Sequence, residues 1–383
     1  MTSERRTILL DGDPAAPQQA RLGAALAARG WRVLVLDAPK VALQIRNEFK
    51  ESCVELRAVP GVFGRLRARH LAYLARLWSV DVVHLNFLRP AQLAWARPGM
   101  PPYIATAWGS DLNAEVIRRS PSYVRDVTLI LQSAAAVTAD SWPLLRKAEA
   151  RMAPNPAPRK LVFWSADLAQ FDRTKAAADA ERFRRELGIA PGQRVLLSPR
   201  QLQPHYHQER IVEAFVRSQW SKQGVLVLKR HGKGGEDGYL AAVMDLARKL
   251  GVAERVLLAP RVSYAELAGL YVMADAAVSL PEADGVPSTF LELMALEVPI
   301  IASDLPAYEG VLAAEETALV VPPADLAALA RAMDRLLEEP GLGAKLTAAG
   351  RNWAMAYADW ARAVDAWEEL YGQAMVRSES GRP

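Results

Sequence analysis

Short apolar runs alternate with helical patterns along almost the whole chain, and this alternation limits the fold more than any other feature. TILLDG, WRVLVLDA, VDVVHLNF, PPYIATAW and AAVTAD are apolar or β-branched and bounded by turn residues. Helical stretches such as QARLGAALAARG lie between them, this one closed by Gly30 as a C-cap. Strands separated by helices pair in parallel, and the helices cover both faces of the sheet. Near residues 164–190 the pattern breaks: WSADLAQFDRTKAAADAERF is polar and has no buried-strand signal. It then restarts with QRVLLSPR, VLVLKRHG, RVLLAPRV, AAVSLPE, VPIIASD and TALVVPP. The expected architecture is α/β, two doubly wound parallel-sheet domains facing a central cleft, with the ligand site beyond the carboxyl ends of the strands.

Composition narrows the partners. Of 383 residues Cys53 is the single cysteine, which excludes an internal disulfide and a cysteine-based metal cluster and makes a reducing cytosol the default. The formal charge of +4 suits a phosphate-bearing ligand or an anionic membrane face. The sequence holds no nucleic-acid module and no long Lys/Arg block, so nucleic acid is not an expected partner. No apolar run approaches the roughly 20 residues of a membrane span. The opening MTSERRTILLDG has too short an apolar run for a signal peptide.

Residues 281–304, PEADGVPSTFLELMALEVPIIASD, carry the densest chemistry. Asp284 precedes a Gly285-Val286-Pro287-Ser288-Thr289 turn, and Glu292 falls in the early turns of the helix that follows, with Ser288 as the expected N-cap. Gly285 permits close approach of backbone to ligand. The amides near Ser288 and Thr289, with the helix dipole, form an anion site suited to a diphosphate. Glu292 accepts only, which suits vicinal hydroxyls such as a ribose diol, and Asp284 can accept from hydroxyls on the far side of the phosphates. The alternative reading is a capped helix with solvated acids.

This segment resembles the signature of the retaining glycosyltransferases of family 4, the group 1 set with the GT-B fold of two Rossmann-like domains. That signature has two acids with seven residues between them, in a pattern like E-G-x-P-x-x-x-x-E-A-M-A, then a G-x-P-V-V-A-[ST]-[DN] strand. WSVDVVHLNF and IATAWGSD, the latter ending at Asp111, resemble the family's D-V-V-H-x-H and H-G-[ST]-D stretches. DLAQF at 167–171, LLSPRQLQPHYHQERIVEAF and APRVSYAELAGLYVMADAAVSLP resemble three more in the same order. The resemblance implies a nucleotide-diphosphate sugar donor, UDP among the nucleotides, and no obligatory metal or other cofactor. It implies transfer with retention through an oxocarbenium-like state. By the same resemblance Glu292 would bind the ribose, and Asp284 with Gly285, Val286 and Pro287 the transferred sugar. Arg200 and the amides of Ser288 and Thr289 would hold the diphosphate, and the backbone at Arg261 and Val262 would meet the base. His84, Asp111, Tyr206 and Gly12 complete the expected site. The domain limits are 1–170 for acceptor binding and 171–352 for donor binding, with a helix at 353–375 packing back on the first. Trp353, Trp360 and Trp367 read as one apolar stripe of that helix.

Several positions depart from the family pattern. The first acid is Asp284 instead of Glu. Tyr206 stands where a lysine usually follows the arginine, with Arg210, Lys229 and Arg230 as replacement cations. Asn86 and Trp108 replace histidines, and Asp11-Gly12-Asp13 lacks the usual glycine pair. These departures motivate a rival reading as a non-catalytic nucleotide-sugar-binding subunit; an epimerase or phosphorylase on the same fold is a second. Asp11-x-Asp13 and His205-x-His207 read as turn and loop residues, not metal ligands. HGKGGEDG at 231–238 lacks the G-K-[ST] of a phosphate loop and reads as a flexible loop at the cleft edge. The absence of G-x-G-x-x-G after the first strand argues against a dinucleotide dehydrogenase. FGRLRARHLAYLARLW at 63–78 is a basic amphipathic helix, with Leu66, Tyr73, Leu74, Leu77 and Trp78 on one face and Arg65, Arg69 and Arg76 around it. It either packs on the sheet or touches an anionic membrane, which would suit a lipid-linked acceptor.

Overall fold

The computed structural model describes residues 5–14, 16–37, 51, 54–58, 64–113, 120–230 and 236–380. Cys53, Phe63, the Arg65 side chain and positions 231–235 of the glycine-rich stretch lie outside the description. The chain divides into two compact units, residues 1–164 with 361–383, and residues 165–360.

The first unit contains β1 (Thr7–Asp11), α1 (Pro17–Ala28), β2 (Arg32–Asp37), β3 (Val54–Ala58), α2 (Gly64–Leu77), β4 (Val82–Asn86) and β5 (Tyr103–Ala107). It continues with α3 (Pro121–Ser133), β6 (Ala136–Ala139), α4 (Trp142–Met152) and β7 (Arg159–Leu161). Among the described residues the strands form one parallel sheet in the order β3-β2-β1-β4-β5-β6-β7. Every residue of β1, β4, β5 and β6 is buried, which is why these strands read as apolar runs without alternation.

The second unit contains α5 (Arg173–Glu186), β8 (Arg194–Ser198), α6 (Gln208–Arg217), α7 (Trp220–Gln223), β9 (Gly224–Leu228), α8 (Glu236–Lys249) and β10 (Val256–Leu258). It continues with α9 (Leu267–Val272), β11 (Ala276–Ser279), α10 (Ser288–Ala295), β12 (Ile300–Ser303), β13 (Leu319–Val321), α11 (Leu326–Glu338) and α12 (Leu342–Tyr357). Its parallel sheet runs β10-β9-β8-β11-β12-β13. Leu196, Leu226, Val278 and Ile301 form the sheet side of its core, against Ile211, Phe215, Trp220 and Met333 of the helices.

Three expectations change here. The division falls after Trp164 and again after Trp360, not at 170 and 352. The helix expected at 353–375 is two helices, α12 and α13 (Trp360–Ser380), broken at Ala358 and Asp359. Trp353 therefore sits on α12 against the Tyr357 ring at 5.3 Å, while Trp367 is fully buried on α13, so the seven-residue spacing does not mark one face. Finally, Glu236 to Gly238 begin α8, so the loop expected through 238 ends earlier.

His84, expected in the site, instead joins α13 to the first sheet. It is fully buried on β4; its Nδ1 lies 2.7 Å from the Tyr371 hydroxyl and its Nε2 2.6 Å from Thr106 Oγ1. Thr106 continues to Thr138 at 2.6 Å, which accepts from Trp367 Nε1 at 3.4 Å. Both imidazole nitrogens are used, and burial pushes the ring down to about 3, so it is neutral near pH 7. The unfolded chain therefore binds a proton that the folded one refuses. Its share of stability is complete above about pH 6.5 and declines as pH falls toward 3. Tyr371→Phe should orphan Nδ1 and lower the unfolding free energy by about 1–3 kcal/mol. Urea denaturation measures it, and an unchanged midpoint would contradict the structural role.

Candidate active site

In the second sheet β8 is central. The chain runs outward from it through β9 and β10, then returns to lay β11, β12 and β13 on its other side. The loops leaving β8 and β11 therefore diverge and open a crevice at the carboxyl edge, where α/β proteins hold ligands. Arg200 follows β8 by two residues and Asp284 follows β11 by five, so they meet from opposite sides of this reversal.

Arg200 Nη2 lies 2.8 Å from Asp284 Oδ2, with side-chain exposures of 9% and 16%. The same nitrogen donates to the Tyr206 hydroxyl at 2.7 Å, and the guanidinium lies over the Tyr206 ring at 4.4 Å. The His205 ring packs on Tyr206 with centroids 3.9 Å apart. Asp284 also accepts from the Gly285 N–H at 3.1 Å and from the Tyr308 hydroxyl at 3.3 Å. Burial disfavours the Arg200 charge, but Asp284, Tyr206 and Tyr308 outweigh it and hold the guanidinium protonated. Burial pushes the Asp284 carboxyl upward and Arg200 pulls it back; at 2.8 Å beside a fixed cation we take it as ionised. The resemblance gives Arg200 the diphosphate and Asp284 the adjoining sugar, and the structure places the two side chains in direct contact.

The turn after Asp284 leads into α10. Its N-cap is Pro287, with φ −75° and ψ 137°, and Ser288 is the first helical residue with no side-chain cap. This corrects the expected Ser288 cap. Proline has no side-chain acceptor, so the cap leaves the first-turn amides at Ser288 and Thr289 to an outside anion. Gly285, Pro287, Ser288 and Thr289 are partly exposed, and Val286 is buried at 4%.

Glu292, one turn into α10, is buried at 3% exposure. Its charge acts on Lys229, at the end of β9, and on Tyr271 of α9, whose hydroxyl bonds Thr289 and is raised by burial. Lys229 is 6% exposed and its N–H donates to the Ser198 carbonyl at 3.1 Å. Arg261 is exposed and Val262 half-buried, both in the loop that leaves β10 at the same sheet edge. Tyr308 was not among the expected site residues, and Lys229 was expected only as one of three replacement cations. The signal for both is position, since each follows closely on the carboxyl end of a central strand.

The first-unit residues expected in the site make close contacts within their own unit. Asp111 is fully buried and accepts from the backbone of Leu88 at 2.8 Å, Gly109 at 2.9 Å and Trp108 at 3.1 Å, so its carboxylate organises two loops. Gly12 lies under Gln19: an added Cβ would stand 2.6 Å from Gln19 Oε1. Asp11 accepts from Trp95 Nε1 at 2.7 Å, so one acid of the Asp11-x-Asp13 pair is already engaged.

Comparisons with known proteins bear on the family and the fold. The family model described as glycosyl transferases group 1 matches residues 179–353, and the one described as glycosyl transferase 4-like matches residues 8–141. The EpsD glycosyltransferase of Bacillus subtilis, itself named as unproven, is 27% identical over 203 residues, 53% of this chain and 51% of that protein. The chain thus spans about half the length of the curated relatives it matches first. Sucrose-phosphate synthase from Thermosynechococcus elongatus superposes with a TM-score of 0.79 at 21% identity, covering 97% of this chain and 100% of that one. Anabaena HepE, solved in complex with UDP and also with UDP-glucose, gives 0.81 at 16% identity in the UDP complex, covering 96% and 99%. With both halves matched and both sheets in place, the chain belongs to the group 1 glycosyltransferases and has the GT-B fold of two Rossmann-like domains.

Proposed function

We propose that the protein is a retaining, metal-independent glycosyltransferase that moves a sugar from a nucleoside-diphosphate sugar to an acceptor. The observation that carries this reading is the Arg200–Asp284 pair placed directly before the uncapped first turn of α10, with Glu292 one turn further along. A diphosphate fits the turn amides, its ribose diol fits Glu292, and the sugar falls beside Asp284. Negative charge grows on the departing diphosphate, where the Arg200 guanidinium and the amide dipoles stabilise it without reorganising. The leaving phosphate and the acceptor hydroxyl would work on one face of the sugar, which gives retention. A uridine nucleotide is the first donor to test, because HepE shares this fold and was solved with UDP and UDP-glucose.

The basic helix α2 supports a peripheral contact with an anionic membrane, on the cytoplasmic face if the acceptor is lipid-linked. Leu66, Tyr73 and Leu77 are 64%, 62% and 61% exposed, with Arg69 and Arg76 exposed beside them. The expected apolar face is split, however: Leu74 is buried and Trp78 packs on the core. No helix among the described residues is long and apolar enough to cross a membrane.

The occupied state of Arg200 favours one other reading, a subunit that binds nucleotide sugars without turnover. Nucleoside-diphosphate binding by calorimetry with no turnover across a broad acceptor panel would support that reading over transfer.

Glu292→Ala and Asp284→Asn should each lower kcat/KM for transfer or donor hydrolysis about 100-fold or more. Full activity in both would remove the site assignment. Activity should survive EDTA, and the product anomer, read by NMR coupling, should match the donor. Asp284→Ala should also cost about 3–5 kcal/mol of stability, because it strands a buried guanidinium. Arg200→Met combined with Asp284→Leu should recover most of that loss in thermal unfolding. Sedimentation with phosphatidylglycerol vesicles should be salt-sensitive and fall several-fold in Leu66→Ser/Tyr73→Ser/Leu77→Ser; salt-independent or absent binding sinks the membrane contact.

A further inference from the structure

Neutralising a diphosphate takes more positive charge than Arg200 can offer, because that guanidinium already faces Asp284 and the Tyr206 hydroxyl. The arginines nearest in sequence are committed elsewhere. Arg210 donates to the Pro323 carbonyl at 3.2 Å and faces Glu282 at 3.6 Å. Arg230 pairs with Asp237 at 3.1 Å and is 31% exposed. Lys229 differs from both. It is 6% exposed, at the carboxyl end of a strand next to the sheet reversal, and its charge is felt by Glu292, Glu236 and Arg200. A fully buried ammonium is costly to hold, and a methionine would fill the space without the desolvation. A buried ammonium within electrostatic reach of the buried Glu292 and Glu236, at the ligand edge of the sheet, calls for a function.

Building on the reading above, we propose that Lys229 is a donor-binding residue: its ammonium meets the phosphates of a nucleoside diphosphate while Glu292 beside it takes the ribose diol. A nucleotide carries both groups in one piece, diol and phosphate separated only by the 5′ carbon. A buried carboxylate and a buried ammonium within electrostatic reach of each other can receive them together. The four-carbon stem lets the ammonium swing from carboxylate to phosphate as the ligand enters, which the stacked Arg200 cannot do.

The surroundings give the assignment a distinctive readout. Burial pulls Lys229 down to about 8, against the opposing pull of Glu292 and Glu236. An arriving dianion raises it again, so the complex takes up a proton. The uptake should be clearly larger at pH 8.5 than at pH 7, where the ammonium is already largely protonated.

The experiment is calorimetry with UDP and with uridine, in two buffers of different ionisation enthalpy, on the full chain. Wild type should bind UDP with proton uptake at pH 8.5. Lys229→Met should lose the uptake and about tenfold or more in UDP affinity, with uridine binding unchanged. Lys229→Arg should keep most UDP affinity but lose the uptake, because a guanidinium does not titrate there; it also serves if the Met variant does not fold. Equal UDP affinity in wild type and Lys229→Met, equal losses for UDP and uridine, or uptake persisting in Lys229→Arg would each overturn the assignment. Wild type that binds neither UDP nor any other nucleoside diphosphate would instead overturn the functional reading beneath it.

Discussion

A parallel sheet covered by helices on both faces has one edge where a ligand can reach backbone and side chains together. That edge is the carboxyl end of the strands, at the point where successive crossovers run in opposite directions. In the second unit the reversal lies between β8 and β11. Four polar residues of the candidate site follow from it: Arg200 after β8, Asp284 after β11, Lys229 after β9 and Tyr308 after β12. Strand order thus gathers side chains more than a hundred residues apart in sequence into one crevice.

The charges gathered there are expensive. Arg200 and Asp284 give up most of their hydration, and a buried pair of this kind is weak evidence for stability. The arrangement makes sense as preorganisation, since a guanidinium clamped by Tyr206, Asp284 and the Tyr206 ring is already oriented when an anion arrives. The same clamp lowers its net charge, so a diphosphate must share Arg200 with Asp284 or draw charge from elsewhere. In the proposed function the first-turn amides of α10, which Pro287 does not cap with a side chain, would supply part of it.

The first unit spends its polar residues differently. His84, Thr106, Thr138, Tyr371 and Trp367 form a buried chain that holds α13 to the sheet. Asn86 donates to Gln19 Oε1 at 2.9 Å, and Gly12 leaves room for that contact. Trp108 packs between Phe87 and Trp164, with ring centroids at 6.2 and 5.0 Å. Where the family pattern has histidines, this chain therefore has an amide and an indole, and among the described residues the buried Asn86 Oδ1 and Trp108 Nε1 have no hydrogen-bond partner. Acceptor chemistry built on those positions would differ accordingly.

The sequence by itself determined the alternation of strands and helices, because burial on both faces of a parallel sheet demands apolar runs whatever the neighbours are. It also determined the order of acid, turn and acid at 284–292, since helix-start chemistry is local. Tertiary structure alone decided which charges meet. The Arg200–Asp284 contact spans two loops that no periodicity links, and Asp284, one methylene shorter than the glutamate expected there, rests on the guanidinium. The fate of His84 was equally illegible, because its partners Thr106 and Tyr371 come from a neighbouring strand and from the far end of the chain. The break at Ala358–Asp359 is not legible in the sequence because the tryptophan spacing imitates one helix, while the chain there passes from one unit to the other. Local pattern fixes what each segment is; long-range packing fixes which side chains lose their water together, and that sets their charge and their chemistry.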